Sequence, residues 1–413
     1  MKYCVVGKSL PHTLSPEIHR AFGNRDYGVT ELEDVGALSS FVQSKTCDGY
    51  NVTIPYKRDI IPMLDVISDE AAEIGAVNTV VNRAGKLIGY NTDIGGMAYA
   101  LKKADIVLKD KDVMILGSGG TCMTASCLLR REGAKSVTVV SRTGGVNYEN
   151  CYDLQNTQVI INTTPLGMMP HAYQKPVELC RFKRLEGVFD CIYNPLETLL
   201  IKEARELNIK CANGLAMLVE QARLAHALFF GDGAEAQSSN RVLEDILMSR
   251  KNIVLTGMSG AGKSAIGRRV ARLLDRPFVD TDSEIERAAG MSIPQIFSEY
   301  GEAYFRRLEC EAVERACLKQ GAVISTGGGA ILDEKNVFFM RCNGDVFLIE
   351  RNTDELEISG RPLTKDRAGA KALYESRKPK YFASAHFVIK NDATVEAAAK
   401  AIADIFKNGE NGR

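Results

Sequence analysis

A glycine-rich segment just past the middle of the chain is the clearest candidate for binding a nucleotide. It reads GMSGAGKS (257–264), fits G-x-x-x-x-G-K-[ST], and lies between a strand-like stretch and the helical SAIGRRVARLL. In this pattern backbone N–H groups surround phosphate, the lysine supplies a positive charge and the hydroxyl binds Mg²⁺. The sequence therefore predicts a nucleoside triphosphate site, formed by Gly260, Ala261, Gly262, Lys263, Ser264 and Ala265.

A second glycine-rich turn, ILGSGG (115–120), follows the strand-like VMIL and opens a helical stretch whose amino end suits a pyrophosphate. The signal is weaker because Cys122 stands where G-x-G-x-x-G requires its third glycine, and a plain strand-to-helix turn is the alternative. Arg142 follows the next strand, where NAD-binding proteins carry an acidic residue. A guanidinium there suits a 2′-phosphate, so NADP is favoured over NAD.

Charged residues after the triphosphate segment recur at spacings suited to an acceptor substrate. Asp280 and Asp282 lie at the end of a short strand, where one can hold Mg²⁺ and the other can take a proton. A turn with a helix cap is the alternative. Arg306 and Glu309 lie at i and i+3, where Glu309 can orient the guanidinium to bind a substrate carboxylate. A surface ion pair is the alternative. The glycines 327–329 let backbone approach a ligand, or form an ordinary loop.

The order of these motifs resembles a known family. GMSGAGKS, DTD, GEAYFRRLE, TGGGA, GRPL and SRKPKYFASA resemble shikimate kinase over nearly all of residues 251–400. The resemblance implies that Lys263 and Ser264 serve ATP and Mg²⁺ and that Asp280 supports the metal. It implies that Arg361 belongs to a mobile lid over ATP, with a solvated arginine as the alternative.

The same resemblance assigns the acceptor site. Asp282 and Lys263 are expected to carry phosphoryl transfer. The shikimate contacts that it implies are Asp282, Arg306, Gly327, Gly328, Gly329 and Arg377. One departure concerns the adenine side, where many relatives carry an arginine and this chain has Asp354.

Seven motifs in the first half resemble a second family. HTLSPEIH, GYNVTIPYK, IGAVNTV, GYNTDIGG, INTTPLGM, DCIYNPLET and NGLAMLVEQA follow in this order across residues 12–222, and the succession resembles shikimate dehydrogenase. Reduction of a carbonyl creates an alkoxide that needs a proton, which a lysine oriented by a carboxylate can donate. Lys57 and Asp93 are the predicted catalytic pair.

The resemblance implies two sets of binding residues in this half. The substrate contacts are Thr13, Ser15, Thr53, Lys57, Asn78, Asp93, Tyr193 and Gln221, with Thr13 replacing a more frequent serine. The NADP contacts are Gly117, Ser118, Gly119, Gly120, Thr121, Ser141, Arg142, Thr143, Met168, Gly214 and Met217.

Each of these side chains also has a plainer interpretation. Lys57 is otherwise a solvated loop lysine, and Asp93 a helix N-cap. Met217 shares a helix face with Gly214 and Gln221, but that spacing equally suits a core stripe. Tyr193 is by default a core tyrosine.

The elements that position these residues alternate between short strands and helices, which predicts an α/β protein with parallel sheets. Strands are expected at 113–116, 136–140, 158–162 and 252–257, and a domain boundary near residue 250. The predicted organisation is a dehydrogenase-like pair of domains followed by a P-loop kinase. Its ranges are a substrate domain of 1–97 and 209–248, a Rossmann-like NADP domain of 98–208 and a kinase domain of 251–413.

The composition narrows the class of protein. The 413 residues exceed one typical core, and 52 basic residues balance 52 acidic ones, so nothing draws the chain to nucleic acid or an anionic membrane. No stretch approaches the roughly 20 apolar residues of a spanning helix. The eleven cysteines lack zinc-like spacing and are expected to be buried, reduced thiols of a cytoplasmic protein.

Together the two resemblances imply consecutive reactions on small molecules: NADPH-dependent reduction of 3-dehydroshikimate, then phosphorylation of shikimate by ATP with Mg²⁺. Two other functions remain as alternatives. One is a regulatory protein that senses shikimate without turnover, against which the complete set of chemical residues counts. The other is a quinate-using, NAD-linked dehydrogenase beside the kinase, which Arg142 disfavours.

Overall fold

The computed structural model describes residues 2–11, 13–231, 238–357 and 366–408. The chain divides into two compact units, Met1–Ile246 and Leu247–Arg413. Strands and helices alternate in both, so the α/β class is confirmed. Among the described residues no helix is both long and apolar enough to cross a membrane. The four expected strands are present as Asp112–Leu116, Ser136–Val140, Val159–Asn162 and Asn252–Thr256.

The first sheet is mixed, although the pattern predicted parallel strands. Its order is β2-β1-β3-β5-β6-β4, and β5 pairs antiparallel with both β3 and β6. The reason is a two-residue turn of Ala84 and Gly85, both at positive φ, which joins β5 to β6 as a hairpin. The strands are β1 (Tyr3–Gly7), β2 (Tyr27–Glu31), β3 (Gly49–Val52), β4 (Val66–Ile67), β5 (Thr79–Arg83) and β6 (Lys86–Tyr90), and the helices are α1 (Ser15–Ala21), α2 (Val35–Ser44), α3 (Asp69–Ile74) and α4 (Asp93–Lys103).

The second sheet, also in the first unit, is parallel, with the order β11-β10-β9-β7-β8. Alternate side chains of β7 enter two separate cores, since Val113 and Ile115 pack on one face, and Met114 and Leu116 on the other. Helix α7 (Leu215–Phe230) packs against α1 and α4. The elements are β7 (Asp112–Leu116), α5 (Gly120–Arg131), β8 (Ser136–Val140), β9 (Val159–Asn162), β10 (Gly187–Asp190), α6 (Leu199–Glu206), β11 (Lys210–Asn213) and α7 (Leu215–Phe230).

One predicted domain limit falls inside a helix, and another separates a strand from its sheet. Residue 97 lies inside α4, and residue 209 precedes β11, which pairs with β10 of the second sheet. Helix α8 (Ser239–Arg250) spans the boundary between the two units, because the first unit ends at Ile246.

The second unit holds a third, parallel sheet with the order β13-β14-β12-β15-β16. Every residue of its central strand β12 is buried. Helix α11 is interrupted at Gly301, which has a φ of +81°. The elements are β12 (Asn252–Thr256), α9 (Lys263–Leu274), β13 (Phe278–Asp280), α10 (Thr281–Ala289), α11 (Ile293–Leu318), β14 (Val323–Ser325), α12 (Glu334–Cys342), β15 (Gly344–Glu350), α13 (Arg367–Ser384), β16 (Phe387–Lys390) and α14 (Val395–Asn408).

All eleven cysteines are free thiols, and most are buried as expected. Cys191, Cys211 and Cys310 are partly buried, and Cys180 lies exposed on the surface.

Candidate active sites

Lys57 and Asp93 lie together in the first unit. Lys57 sits in the turn after β3, and Asp93 is the first residue of α4. The Lys57 Nζ lies 2.6 Å from Asp93 Oδ2, and the side chains are only 15% and 10% exposed. The N-cap of α4 is Thr92, so Asp93 is not the cap, and Lys57 is not a solvated lysine. The pair can hold an ammonium next to a substrate and deliver a proton from it.

A buried polar network surrounds Asn78, the residue expected to bind a substrate hydroxyl. Asn78 Oδ1 accepts from the Thr92 backbone N–H at 2.7 Å, and Asn78 Nδ2 donates to Thr92 Oγ1 at 3.0 Å. Thr92 Oγ1 also lies 3.4 Å from Gln221 Oε1. Thr92 uses one Nδ2 hydrogen, and the described residues offer no acceptor for the other, which leaves it for a ligand. Thr92 thus joins Asn78 to Gln221, a role that the sequence did not indicate.

Thr13 lies on the loop after β1, Ser15 is the first residue of α1, and Thr53 directly follows β3. The Thr13 and Ser15 hydroxyls are 3.2 Å apart, so these two expected substrate contacts are brought together. The Thr53 N–H donates to Val6 O at 2.9 Å, which ties its loop to β1. A Cβ on Gly7 would lie 2.7 Å from the Thr53 methyl, so only glycine fits there.

Tyr193, Gly214 and Met217 lie where the second sheet meets α7. Gly214 caps α7, and a Cβ on it would lie 2.1 Å from Cys191 O, so the close approach requires glycine. Met217 is 8% exposed and packs in the core with Ile94, as the plainer interpretation holds. Its contact with nicotinamide stays a prediction. Burial raises the pKa of the Tyr193 hydroxyl above its usual value.

The predicted dinucleotide turn joins β7 to α5. Gly117 has a φ of +102°, and a Cβ on it would lie 2.8 Å from Thr163 Oγ1. Ser118 and Gly119 are exposed, and a Cβ on Gly119 would meet nothing within 4 Å. Gly120 starts the helix, with Thr121 next, and a Cβ on Gly120 would lie 4.0 Å from Lys57 Cδ. The amino end of α5 therefore lies beside Lys57, and its open backbone fits a pyrophosphate.

The loop after β8 carries Ser141, Arg142 and Thr143. The Ser141 N–H donates to Val146 O at 3.1 Å, which closes the loop tightly. Arg142 is exposed and forms no ion pair within the described part of the chain, so its guanidinium fits a 2′-phosphate. Met168 is 40% exposed in the loop after β9.

The triphosphate loop of the second unit runs from β12 to α9. Gly260 and Gly262 have φ of +86° and +96°, which only glycine adopts readily. Ala261 is buried between them. Lys263 begins α9 and donates to Gly257 O and Met258 O, both at 2.9 Å. The lysine is thus held inside its own loop.

Ser264 and Asp280 form the expected metal pair. Ser264 Oγ lies 2.5 Å from Asp280 Oδ2, while Asp280 Oδ1 accepts from the Asp282 N–H at 3.1 Å and caps α10. Asp280 is therefore a helix cap and can also be a metal ligand, because its two oxygens have different partners. Hydroxyl and carboxylate oxygens are the ligands that Mg²⁺ prefers, so the pair fits this ion. Ala265 follows, exposed on the first turn of α9.

The predicted acceptor residues converge on the glycine turn 327–329. Beta carbons placed on Gly327 and Gly329 would lie 2.8 Å from Asp282 Oδ1 and 2.1 Å from Arg306 Nη1. Arg377 Nη1 donates to Gly328 O at 3.2 Å. Two arginines, Arg306 and Arg377, and the Asp282 carboxylate thus surround the glycine turn.

The pair of Arg306 and Glu309 is not a surface ion pair, so that alternative is wrong. Arg306 Nη1 donates to Glu309 Oε2 at 2.6 Å, and the Glu309 side chain is 2% exposed. Burial raises the pKa of Glu309, and Arg306 opposes that shift. Arg361 lies outside the described residues. Asp354 lies in a short 3₁₀ turn, where its N–H is bonded to Asn352 Oδ1.

Comparisons with known proteins identify the families that both halves of the chain resemble. The family model of the shikimate dehydrogenase substrate binding domain matches residues 5–80, and that of shikimate kinase matches residues 259–407. The shikimate dehydrogenase (NADP(+)) of Clostridium beijerinckii is 35% identical, covering 59% of this chain and 96% of that protein. The enzyme of the same name from Caldicellulosiruptor bescii is 37% identical, covering 62% and 97%.

Solved structures give the same result for the first unit. A chorismate mutase/shikimate 5-dehydrogenase fusion protein from Clostridium acetobutylicum is 32% identical with a TM-score of 0.55, covering 59% of this chain and 96% of that one. Shikimate 5-dehydrogenase from Thermus thermophilus, in complex with NADP(H) and shikimate, is 29% identical with a TM-score of 0.52, covering 59% and 97%. The chain belongs to the shikimate dehydrogenase family and carries a shikimate kinase domain after it, so it is a two-activity enzyme of the shikimate pathway that uses NADP and ATP with Mg²⁺.

Proposed function

We propose that the first unit reduces 3-dehydroshikimate to shikimate and that the second unit phosphorylates this shikimate to shikimate 3-phosphate. The observation that carries the proposal is the largely buried Lys57–Asp93 pair at 2.6 Å beside the amino end of α5. A pair so placed serves proton transfer next to a dinucleotide.

In the first reaction Lys57 donates a proton to the new hydroxyl, and Asp93 orients its ammonium and balances its charge. NADPH supplies the hydride when bound. Asn78 offers an N–H to one substrate hydroxyl, and Gln221, which Thr92 links to Asn78, binds the hydroxyls together with Thr53. Thr13 and Ser15 bind the carboxylate, and Tyr193 closes the pocket. The pyrophosphate is held by the turn of Gly117, Ser118, Gly119, Gly120 and Thr121. The 2′-phosphate is bound by Ser141, Arg142 and Thr143, and the nicotinamide is contacted by Met168, Gly214 and Met217.

In the second reaction Asp282 takes the proton of the acceptor hydroxyl. ATP with Mg²⁺ supplies the phosphoryl group. Lys263 leaves the carbonyls of its loop for phosphate, and Ser264 with Asp280 holds the metal. Arg306 and Arg377 bind the acceptor carboxylate above the glycine turn.

We infer three functional domains. Their limits are close to 1–97 with 209–248, 98–208 and 251–413, shifted so that α4 stays whole and β11 stays with the second sheet. The small-molecule substrates are the expected partners. We place the enzyme in the cytoplasm, because eleven free thiols suit a reducing compartment.

The fold alone does not choose the substrate, since quinate dehydrogenase from Corynebacterium glutamicum in complex with NAD is 26% identical, with a TM-score of 0.53. The exposed Arg142 supports NADP over NAD for this chain.

One assay tests the proposal as a whole. Purified protein receives 3-dehydroshikimate and NADPH, with and without ATP and Mg²⁺, and products are separated over time. We expect NADPH oxidation with shikimate accumulating in the absence of ATP, and shikimate 3-phosphate appearing when ATP is present. Binding of shikimate without any turnover would favour a sensor, and faster reduction with NADH or activity only on quinate would favour the other dehydrogenase.

A further inference from the structure

A fully buried tyrosine lies at the centre of the kinase site. Tyr381 follows Arg377 by one turn of α13, and its side chain is 0% exposed. Its hydroxyl donates to Gly328 O and lies 3.5 Å from Met258 Sδ. Burial raises the pKa of Tyr381 to about 12, so the hydroxyl keeps its proton at physiological pH. The hydroxyl therefore acts as a hydrogen-bond donor between two different loops.

The first of these loops is the glycine turn that receives the acceptor. Gly328 O accepts from both Tyr381 and Arg377, so one carbonyl is fixed by two side chains of the same helix. A Cβ on Gly328 would lie 2.7 Å from Ser259 Oγ and 2.8 Å from Ser259 N. The turn therefore rests directly on the phosphate loop, with no space for a side chain between them.

The second loop is the phosphate loop itself. Met258, whose sulfur contacts the Tyr381 hydroxyl, accepts from the Lys263 ammonium through its backbone carbonyl at 2.9 Å. The hydroxyl thus touches the residue that holds the phosphate-binding lysine and the turn that holds the acceptor.

We infer that Tyr381 is a positioning residue of the kinase: its hydroxyl fixes the glycine turn on the phosphate loop, and so sets the distance between the acceptor hydroxyl and the transferred phosphoryl group. The inference rests on the proposed kinase function. Phosphoryl transfer depends mainly on positioning, so a small displacement of the turn lowers its rate. A tyrosine that only fills the core would affect stability and leave the kinetics of the folded enzyme unchanged.

The test is Tyr381→Phe in the full chain, which removes one hydroxyl and keeps the ring. Loss of a buried carbonyl's partner should lower kinase kcat/KM for shikimate about 10-fold, or ~1.4 kcal/mol, mostly through kcat. The KM for ATP should stay within about two-fold, because the substitution leaves Lys263 and the backbone N–H groups of the phosphate loop in place. Dehydrogenase activity, measured on the same sample, reports the concentration of folded protein.

The matched control is Tyr374→Phe, which removes a hydroxyl from the same helix. Tyr374 donates to Glu350 Oε1 at 2.8 Å, away from the glycine turn, so kinase kinetics should not change. Gly328→Ala is the second variant, since its methyl would push the turn from Ser259 and should give the same loss of kcat. Shikimate phosphorylation by Tyr381→Phe within about two-fold of the wild type, or an equal loss in Tyr374→Phe, would overturn the inference. A wild type that does not phosphorylate shikimate would instead overturn the proposed function.

Discussion

The dehydrogenase site is assembled mainly from side chains, whereas much of the kinase site is assembled from glycine backbone. In the first unit Lys57, Asp93, Asn78 and Thr92 bond to one another or to neighbouring backbone through their polar ends. In the second unit the glycine turn 327–329 lies so close to its neighbours that any Cβ would clash. Dehydrogenase activity should therefore be lost mainly when a side chain is shortened. Kinase activity should fall when a single methyl group is added to the glycine turn.

The largest effect is expected for Lys57→Ala. Loss of the proton donor should lower dehydrogenase kcat about 1,000-fold, within the range for general acid–base catalysis, and leave the kinase rate unchanged. Separate assays of both activities on one preparation measure this. The control is Lys111→Ala, which breaks another 2.6 Å lysine–carboxylate pair, with Glu186, outside the site. A dehydrogenase kcat close to that of the wild type would remove Lys57 from catalysis.

Asp282→Asn tests the one kinase side chain assigned to proton transfer. The amide keeps the size of the carboxylate but cannot take a proton, so shikimate phosphorylation should fall about 100-fold while ATP binding persists. Rapid-quench measurement of shikimate 3-phosphate, with ATP binding by calorimetry, checks both parts. Asp275→Asn, at an exposed helix C-cap, is the control. If phosphorylation continues at the wild-type rate, Asp282 does not act as the base.

Gly327→Ala tests the backbone character of the kinase site. The added Cβ would lie 2.6 Å from Glu309 Oε1 and 2.8 Å from Asp282 Oδ1. Overpacking of this kind costs about 1–3 kcal/mol, so kinase kcat/KM should fall roughly 10- to 100-fold. Gly145→Ala, where a Cβ would meet nothing within 4 Å, should leave the kinase unchanged. An active Gly327→Ala kinase would show that the turn relaxes, and would weaken the contrast between the sites.

Arg142→Ala tests cofactor choice in the first unit. A charged hydrogen bond to phosphate is worth about 1.5–3 kcal/mol, so the KM for NADPH should rise roughly 10- to 100-fold while that for NADH barely changes. Steady-state kinetics with each cofactor measures the difference. Arg184→Ala, which removes a guanidinium bonded to Asn156 Oδ1, is the control. Equal effects on the two cofactors would reject Arg142 as the discriminating residue.

Asp190→Asn should have the smallest effect, on stability rather than rate. Burial raises the pKa of Asp190 to about 6, although Thr198, the Ile192 N–H and Asn162 donate to it. A raised pKa stabilises the folded state below the unfolded value near 4, and this contribution is lost as pH rises through about 6. The free energy of unfolding of the wild type should therefore gain on that of the variant by about 1 kcal/mol as pH falls from 7 to 5, and the difference between their melting temperatures should widen accordingly.

Calorimetry at pH 5, 6 and 7 checks this, with the first-unit transition recognised by its shift on adding NADP. Asp105→Asn, at a side chain 80% exposed, controls for the loss of a carboxylate. A difference between wild type and Asp190→Asn that stays constant with pH would contradict the prediction.

The sequence predicted the local elements well because they depend on nearby residues. The strand before Gly117 and the helix after Lys263 follow from apolar runs and glycine spacing, and both are present. The Lys57–Asp93 pair also followed from motif chemistry. The hairpin at Ala84 was missed because alanine rarely adopts a positive φ.

Other features depend on contacts between distant segments and leave no local pattern. Tyr381 looks like an ordinary core tyrosine until α13 brings it to Gly328, which is 53 positions away. Nothing in the sequence relates Thr92 to Gln221, which α7 places beside it. The burial of Glu309 likewise arises from packing against the glycine turn.

Helix α8 forms hydrogen bonds in both units, so a gene that encodes only one activity would lose some of them. At its start Ser239 donates to Glu220 in the first unit, and at its end Met248 O and Arg250 O accept from Arg276 and Gly321 in the second. A gene divided before codon 238 would deprive the first product of Ser239, and one divided after codon 250 would deprive the second of both carbonyls. Two working reading frames would each need their own copy of this helix.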